Sequence, residues 1–183
     1  MQAVDKEVLS QILKWLKNDE PCWLATVVQT WGSSPRPVGS VLACNAQGHI
    51  VGSLSGGCVE DDLLEKITAG ELAANEAQFF QYGSTVEETE KLGLPCGGNL
   101  YIVVEPQKPN SESIQHFTSL NDALDQRQCA RRIVNLNQQT TAIELNGGFQ
   151  DLRWDEENQQ LDHTFGPRQQ LFIIGAGMVS QYL

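Results

Sequence analysis

The chain has 183 residues, 40% of them hydrophobic, which is enough apolar material for one domain with a further piece attached. Its net charge of −11 argues against a nucleic-acid binder, because such proteins need a cationic footprint for phosphates. No apolar run nears the roughly 18 residues that span a membrane. The opening Met1-Gln2-Ala3-Val4-Asp5-Lys6-Glu7 has neither the basic start nor the apolar stretch of a signal peptide, so a cytoplasmic protein is expected.

Val4 to Asp19 places apolar residues at Val4, Val8, Ile12, Trp15 and Leu16, which predicts an amphipathic helix stopped by Pro21. Cys22 to Thr30 is rich in β-branched residues and reads as a buried strand. Trp31 to Gly39 is a loop dense in Gly, Ser and Pro. Ser40 to Asn45 and His49 to Ser53 form a predicted hairpin through Ala46-Gln47-Gly48. Val59 to Ala69 predicts a helix ended by Gly70. Ala77 to Tyr82 and Leu100 to Glu105 read as strands, and the first region closes near Pro106.

Gln107 to Ser113 reads as a polar linker, followed by a helix over Ile114 to Arg127 and strands over Ala130 to Leu136 and Thr140 to Leu145. Gly147-Gly148 and Asp155 to Gln160 read as loops. Leu171 to Ile174 is a predicted buried strand that runs into Gly175-Ala176-Gly177, like the opening of a dinucleotide-binding βαβ unit. The rest of that fold does not follow in this chain, so NAD(P) is not an expected cofactor. The expected architecture is α/β: a mixed, largely antiparallel sheet with flanking helices, then the first strand and turn of a truncated Rossmann-like domain. Residues 1–106 form the first domain, 107–168 its continuation and connector, and 169–183 the incomplete unit.

Chemistry concentrates in three loops. Cys58 in Ser55-Gly56-Gly57-Cys58-Val59-Glu60 and Cys96 in Leu94-Pro95-Cys96-Gly97-Gly98 each adjoin a glycine pair beside a predicted element. Glycine pairs cost stability inside regular structure and are tolerated where a turn needs positive φ or a ligand must approach the backbone. Both thiols are therefore expected to converge on one site. The helix after Cys58 favours a thiolate or an anion at its N-terminus. Asp61 and Asp62 read as first-turn acids that complement the helix dipole, while Glu60 lies close enough to the thiol to belong to the site. The third loop, Trp31 to Gly39, is stiffened by Pro35 and Pro37 and offers the Ser33 and Ser34 hydroxyls and the planar fork of Arg36. Arg36 is one of only three cations between Asn18 and Glu105, the others being Lys66 and Lys91. The five cysteines, Cys22, Cys44, Cys58, Cys96 and Cys129, are odd in number and contain no C-x-x-C, which fits free thiols in a reducing compartment. His49, His116 and His163 are scattered, and nothing has the ligand spacing of a structural zinc site.

Together Gly32-Ser-Ser-Pro-Arg36-Pro, Gly52-Ser-Leu-Ser-Gly-Gly-Cys58-Val-Glu60, Tyr82-Gly83, Leu92-Gly-Leu-Pro-Cys96-Gly-Gly98 and Val103-Val-Glu105-Pro106 resemble the xanthine dehydrogenase accessory factor, or XdhC/CoxI, family. The resemblance implies a maturation chaperone rather than a catalyst. Such a protein binds molybdenum cofactor of the molybdopterin type, holds it while a cysteine desulfurase supplies sulfur, and passes it to a xanthine dehydrogenase-like molybdoenzyme. Thiolates from Cys58 and Cys96 suit a soft metal centre. Ser33, Ser34, Arg36, Ser55, Gly56, Gly57, Glu60, Gly97 and Gly98 complete the expected cofactor-binding set, with arginine, serines and glycine amides suited to its phosphate. Transient handover suggests a homodimer or a docking surface. The rival reading is an oxidoreductase, NAD(P)-dependent or thiol-redox, in a full-length form; a third is a thiol-based regulator without a cofactor.

Overall fold

A computed structural model describes residues 3–32, 36–57, 59–85 and 99–168. The amphipathic N-terminal stretch forms helix α1 (Ala3–Lys17). Its Val8, Leu9, Ile12, Trp15 and Leu16 share one face and are buried, as the spacing requires. Strand β1 (Cys22–Trp31) is nearly continuous in burial up to Val28, which marks it as an interior strand covered on both faces. It lies at the centre of a five-stranded sheet ordered β3-β2-β1-β5-β4, where β2 is Val41–Asn45, β3 Ile50–Gly52, β4 Gln78–Tyr82 and β5 Asn99–Gln107. Every pairing is antiparallel.

Alternation along these strands sorts the core. Ala25, Val27, Leu42, Cys44, Ile102 and Val104 face helix α2 (Glu60–Thr68), which contributes Leu63 and Ile67. Leu24, Val41 and Ala43 face the other way, onto α1 and helix α3 (Ser111–Asp125). The side chain of Asn110 caps α3 by accepting from Ser113 N at 2.8 Å.

Instead of a single sheet, the chain builds two. Strands β6 (Cys129–Asn135), β7 (Thr140–Gly147), β8 (Arg153–Asp155) and β9 (Gln160–Phe165) form a second antiparallel sheet, ordered β7-β6-β9-β8. Val28 and Val103 of the first sheet join Val134, Leu136 and Leu161 of the second in one apolar cluster. Ala130 and Phe165 join the cluster of α1 and α3. The segment Asp155 to Gln160, read as a loop, is the β8–β9 turn. The two strands around it escape the sequence pattern because β8 has three residues and because Asp162, His163 and Thr164 are polar yet buried. Strand β5 also runs past the expected end at Pro106. Pro106 pairs with Trp23 of β1, but β4 begins its pairing only at Val104, so the missing N–H removes no bond to that neighbour.

Among the described residues, no helix is long and apolar enough to cross a membrane. The predicted strand at Leu171 to Ile174 and the turn at Gly175 to Gly177 lie outside the described residues.

Candidate functional site

Antiparallel order brings the motif segments to one end of the first sheet. Trp31, the last residue of β1, lies opposite Asn99, the first of β5. Tyr82, the last of β4, lies opposite Leu100. Gly52, the last of β3, lies opposite Leu42 near the start of β2. The segments that follow Trp31, Gly52 and Tyr82, and the one that leads into Asn99, therefore leave or enter the sheet at the same end. Of the predicted site residues, Ser33, Ser34, Cys58, Cys96, Gly97 and Gly98 lie outside the described residues. Arg36, Ser55, Gly56, Gly57 and Glu60 are described.

The loop from Ser53 to Val59 is organised by a carboxylate from its own helix. Val59, at the N-cap of α2, has no side-chain cap bond. Glu60 turns back beneath the loop and fills that role. Its Oε1 accepts from Ser53 Oγ (2.8 Å), Leu54 N (3.0 Å) and Ser55 N (3.0 Å). Its Oε2 accepts from Ser55 Oγ (2.6 Å), Gly57 N (3.0 Å) and Val59 N (3.1 Å). The result is a concave nest of amides and hydroxyls closed around an anion. Burial alone would raise the Glu60 pKa, but the bonds from Ser55, Ser53 and Leu54 outweigh it and hold the group down to about 2.

The crest of this loop is open. Gly56 (φ 86°) and Gly57 (φ 117°) take left-handed conformations that a side chain would strain. Both are exposed, and nothing lies within 4 Å of where a Gly57 side chain would start. Ser55 and Glu60 are buried under the crest and bonded to each other, so their direct effect is on loop shape. Ser53, which also accepts from Gly56 N at 2.9 Å, is a site residue that the motif reading misses. Its signal is the repeat of serine two residues before Ser55, ahead of the glycine pair.

The Arg36 loop is tied down on its return leg. Gly39 N donates to Val27 O (2.8 Å), Val27 N to Ser40 O (2.9 Å), and Ser40 N to Pro37 O (3.1 Å). Arg36 itself is half-buried. A side chain at Gly39 would start 3.5 Å from Nε2 of His163, so the loop rests on β9 of the second sheet. That support is not legible in the sequence, where His163 stands alone. Trp31, at the base of the loop, is 69% exposed.

Cys22, Cys44 and Cys129 are free, buried thiols. Burial pushes Cys22 and Cys44 up to about 12, with the Cys44 thiol and Glu20 adding to the shift at Cys22. Cys22 and Cys44 are part of the core and have no thiolate character at neutral pH. Among the described residues, no group of three His, Cys, Asp or Glu side chains could hold a metal ion.

The XdhC and CoxI family model matches residues 15–83. That span contains β1 to β4, the Arg36 loop and the Glu60-held loop. A probable xanthine dehydrogenase subunit from Bacillus subtilis (strain 168) is 25% identical over 182 aligned positions, which take in 88% of this chain and 54% of that protein. A crystal structure of a xanthine dehydrogenase from Bacillus halodurans is similar in fold, with a TM-score of 0.63 at 22% identity, and the match covers 87% of this chain and 53% of that one. The chain thus spans about half the length of each of these relatives. Residues 15–83 are therefore similar to the XdhC and CoxI family, the resemblance that the motifs around Arg36, Cys58 and Tyr82 carry.

Proposed function

We propose that this chain binds molybdenum cofactor of the molybdopterin type at the motif-bearing end of the first sheet. It holds the cofactor during sulfuration and passes it to a xanthine dehydrogenase-like molybdoenzyme, without catalysing a reaction of its own. The observation that carries this reading is the common exit of the motif segments beside Trp31, Gly52, Tyr82 and Asn99. The family match and the dehydrogenase names of the relatives support it. In this reading Cys58 and Cys96 face the metal, and Arg36 with Ser33 and Ser34 takes the phosphate. Gly56 and Gly57 let the ligand approach the loop crest. Ser55 and Glu60 hold that crest in shape, since their hydrogen bonds are already committed to the loop. The soft metal suits thiolates, and the planar guanidinium suits a phosphate. A cysteine desulfurase and a second copy of the chain are the remaining expected partners.

The test is native mass spectrometry of protein from a molybdenum-replete host, followed by titration with released cofactor. Bound molybdopterin and molybdenum are expected. Arg36→Ala should weaken binding by about 1.5–3 kcal/mol, roughly 10- to 150-fold, the scale of hydrogen bonds to a charged group. Cys58→Ser and Cys96→Ser should each lower molybdenum retention more than pterin retention. Apo-protein from such a host that also fails to bind added cofactor would refute the proposal. Bound NAD(P) with thiol turnover would establish the oxidoreductase instead.

A further inference from the structure

Three of the four tryptophans are anchored in the fold. Trp15 is buried in the cluster of α1 and α3. Trp23 donates its Nε1–H to Ala73 O at 2.9 Å, and Trp154 stacks on Phe79 with ring centroids 5.1 Å apart. Trp31 is the exception. It is 69% exposed, and among the described residues it joins no ring pair and no side-chain hydrogen bond. Val38, another exposed large hydrophobic residue, lies on the far limb of the same loop, so the two bracket Arg36. Leu145, the third among the described residues, lies apart on β7. Single exposed apolar residues are ordinary on a surface. Two of them on either side of one arginine, at the end of the sheet where the motif segments leave, call for a ligand.

The backbone of β1 accounts for the exposure. Its register against β5 slips between Val27 and Gln29, so Val28 is an extra residue in β1. Before the slip, Ala25 and Val27 pack towards α2. An unbroken strand would carry Trp31 to that same covered face, because side chains alternate with a period of two. After the slip, Gln29 pairs with Tyr101 and Trp31 with Asn99. Thr30 pairs with Leu100, and Leu100 packs towards α2. Trp31 therefore stands on the opposite face, at the last rung of the ladder. Directly paired residues have Cβ atoms about 4.5–5.5 Å apart. The indole thus starts beside the strand into which Gly97 and Gly98 lead, and it immediately precedes Gly32-Ser33-Ser34. Bulges beside binding sites serve to re-aim a side chain in this way. A free indole offers a flat π-face and gives up little conformational freedom when a ring settles on it.

We propose that Trp31 is the stacking platform for the pterin ring of the cofactor, beside the arginine that takes its phosphate. The inference rests on the cofactor-binding reading above and adds to it the residue that recognises the ring. The experiment is anaerobic titration of the full chain with molybdenum cofactor released from a purified molybdoenzyme. It compares wild type with Trp31→Ala, Trp31→Leu and Trp31→Phe. Trp31→Ala should weaken binding about 5- to 150-fold, the range of one aromatic stack on a base. Trp31→Phe should restore most of the affinity, whereas Trp31→Leu, apolar but without a π-face, should stay near the alanine value. All three should keep the wild-type urea midpoint, because the side chain is exposed. Wild-type affinity in Trp31→Ala, or equal affinity in the leucine and phenylalanine variants, would overturn the stacking role and leave the cofactor reading standing. A wild-type chain that binds no cofactor would overturn both. A midpoint lowered in all three variants would make Trp31 a structural residue. Unchanged cofactor affinity with lost capture of apo-xanthine dehydrogenase would make it a protein anchor. Either result would also overturn the proposal.

Discussion

Glu60→Gln isolates the device that shapes the first cysteine loop. The glutamate is 8% exposed and accepts six hydrogen bonds through its two oxygens. Depression of its pKa from the ordinary 4.5 to about 2 corresponds to about 3 kcal/mol of native-state stabilisation. In the glutamine variant one oxygen can still serve one side of the nest. The amide NH₂ on the other side would face two backbone donors: Gly57 N would lose its acceptor, and the buried Val59 N would keep only Ser55 Oγ at 3.1 Å. Leaving such groups unmet costs about 1–3 kcal/mol, which agrees in scale. For a chain of this size the loss should lower Tm by about 6–12 °C at pH 7. The pH dependence carries a sign. A carboxyl held below its unfolded value stabilises above pH 4.5 and loses that contribution as pH falls towards 2. The gap between wild type and variant should therefore be full at pH 6 and shrink by more than half by about pH 3. His116 and His163, both lowered to about 3 chiefly by burial, also destabilise the fold as pH drops below 6.5, but they do so equally in both proteins. Calorimetry across pH 3–7 reads the difference. A variant with wild-type Tm at pH 7, or a gap that does not change with pH, would refute the account.

Removing one partner of the buried Arg132–Glu105 ion pair, as in Arg132→Met, should cost about 3–5 kcal/mol in urea unfolding by stranding the Glu105 charge. The double variant with Glu105→Leu should recover much of that loss, and simple additivity would disprove the coupling. At Gly52 (φ +90°) a side chain would start 2.3 Å from Val41 O and 2.7 Å from Val8 Cγ2, whereas Gly57 opens onto free space. Gly52→Ala should therefore be the more destabilising of the two by at least about 2 kcal/mol, measured by denaturant midpoint. Native protein treated with iodoacetamide at pH 8 should keep Cys22 and Cys44 unmodified until it is unfolded, as mass spectrometry of the peptides would show.

The parts of the fold that could be read from sequence are those where burial and polarity agree. Helix α1 follows from Val8, Ile12, Trp15 and Leu16, and the β2–β3 hairpin from its apolar runs around Gln47-Gly48. Strand β9 does not follow, because its inward positions include His163 and its buried outward positions include Asp162 and Thr164. Arg132 is hidden for the same reason: it takes the inward register of β6 between Ala130 and Val134. A charged residue at that position becomes intelligible only when Glu105 and His116 arrive from β5 and α3. At the candidate site the motifs were legible as chemistry, one residue type at a time. Whether Glu60 would point at a ligand or back at its own loop depends on the path of the backbone from Ser53 to Val59, and glycine spacing does not encode that path.

The seat of Gly39 on His163 changes what counts as the smallest working piece of this chain. The family match ends at residue 83 and the first sheet ends at Gln107, so a cut just after Pro106 looks natural from sequence. Such a fragment would lose Phe117, Ala130 and Phe165 from beneath α1, and β9 from beneath the arginine loop. The helix would be left with a bare apolar face, and the loop with no floor. The packing around the first sheet runs on to Phe165, and the loop that bears Arg36 is seated on a residue outside the family motifs.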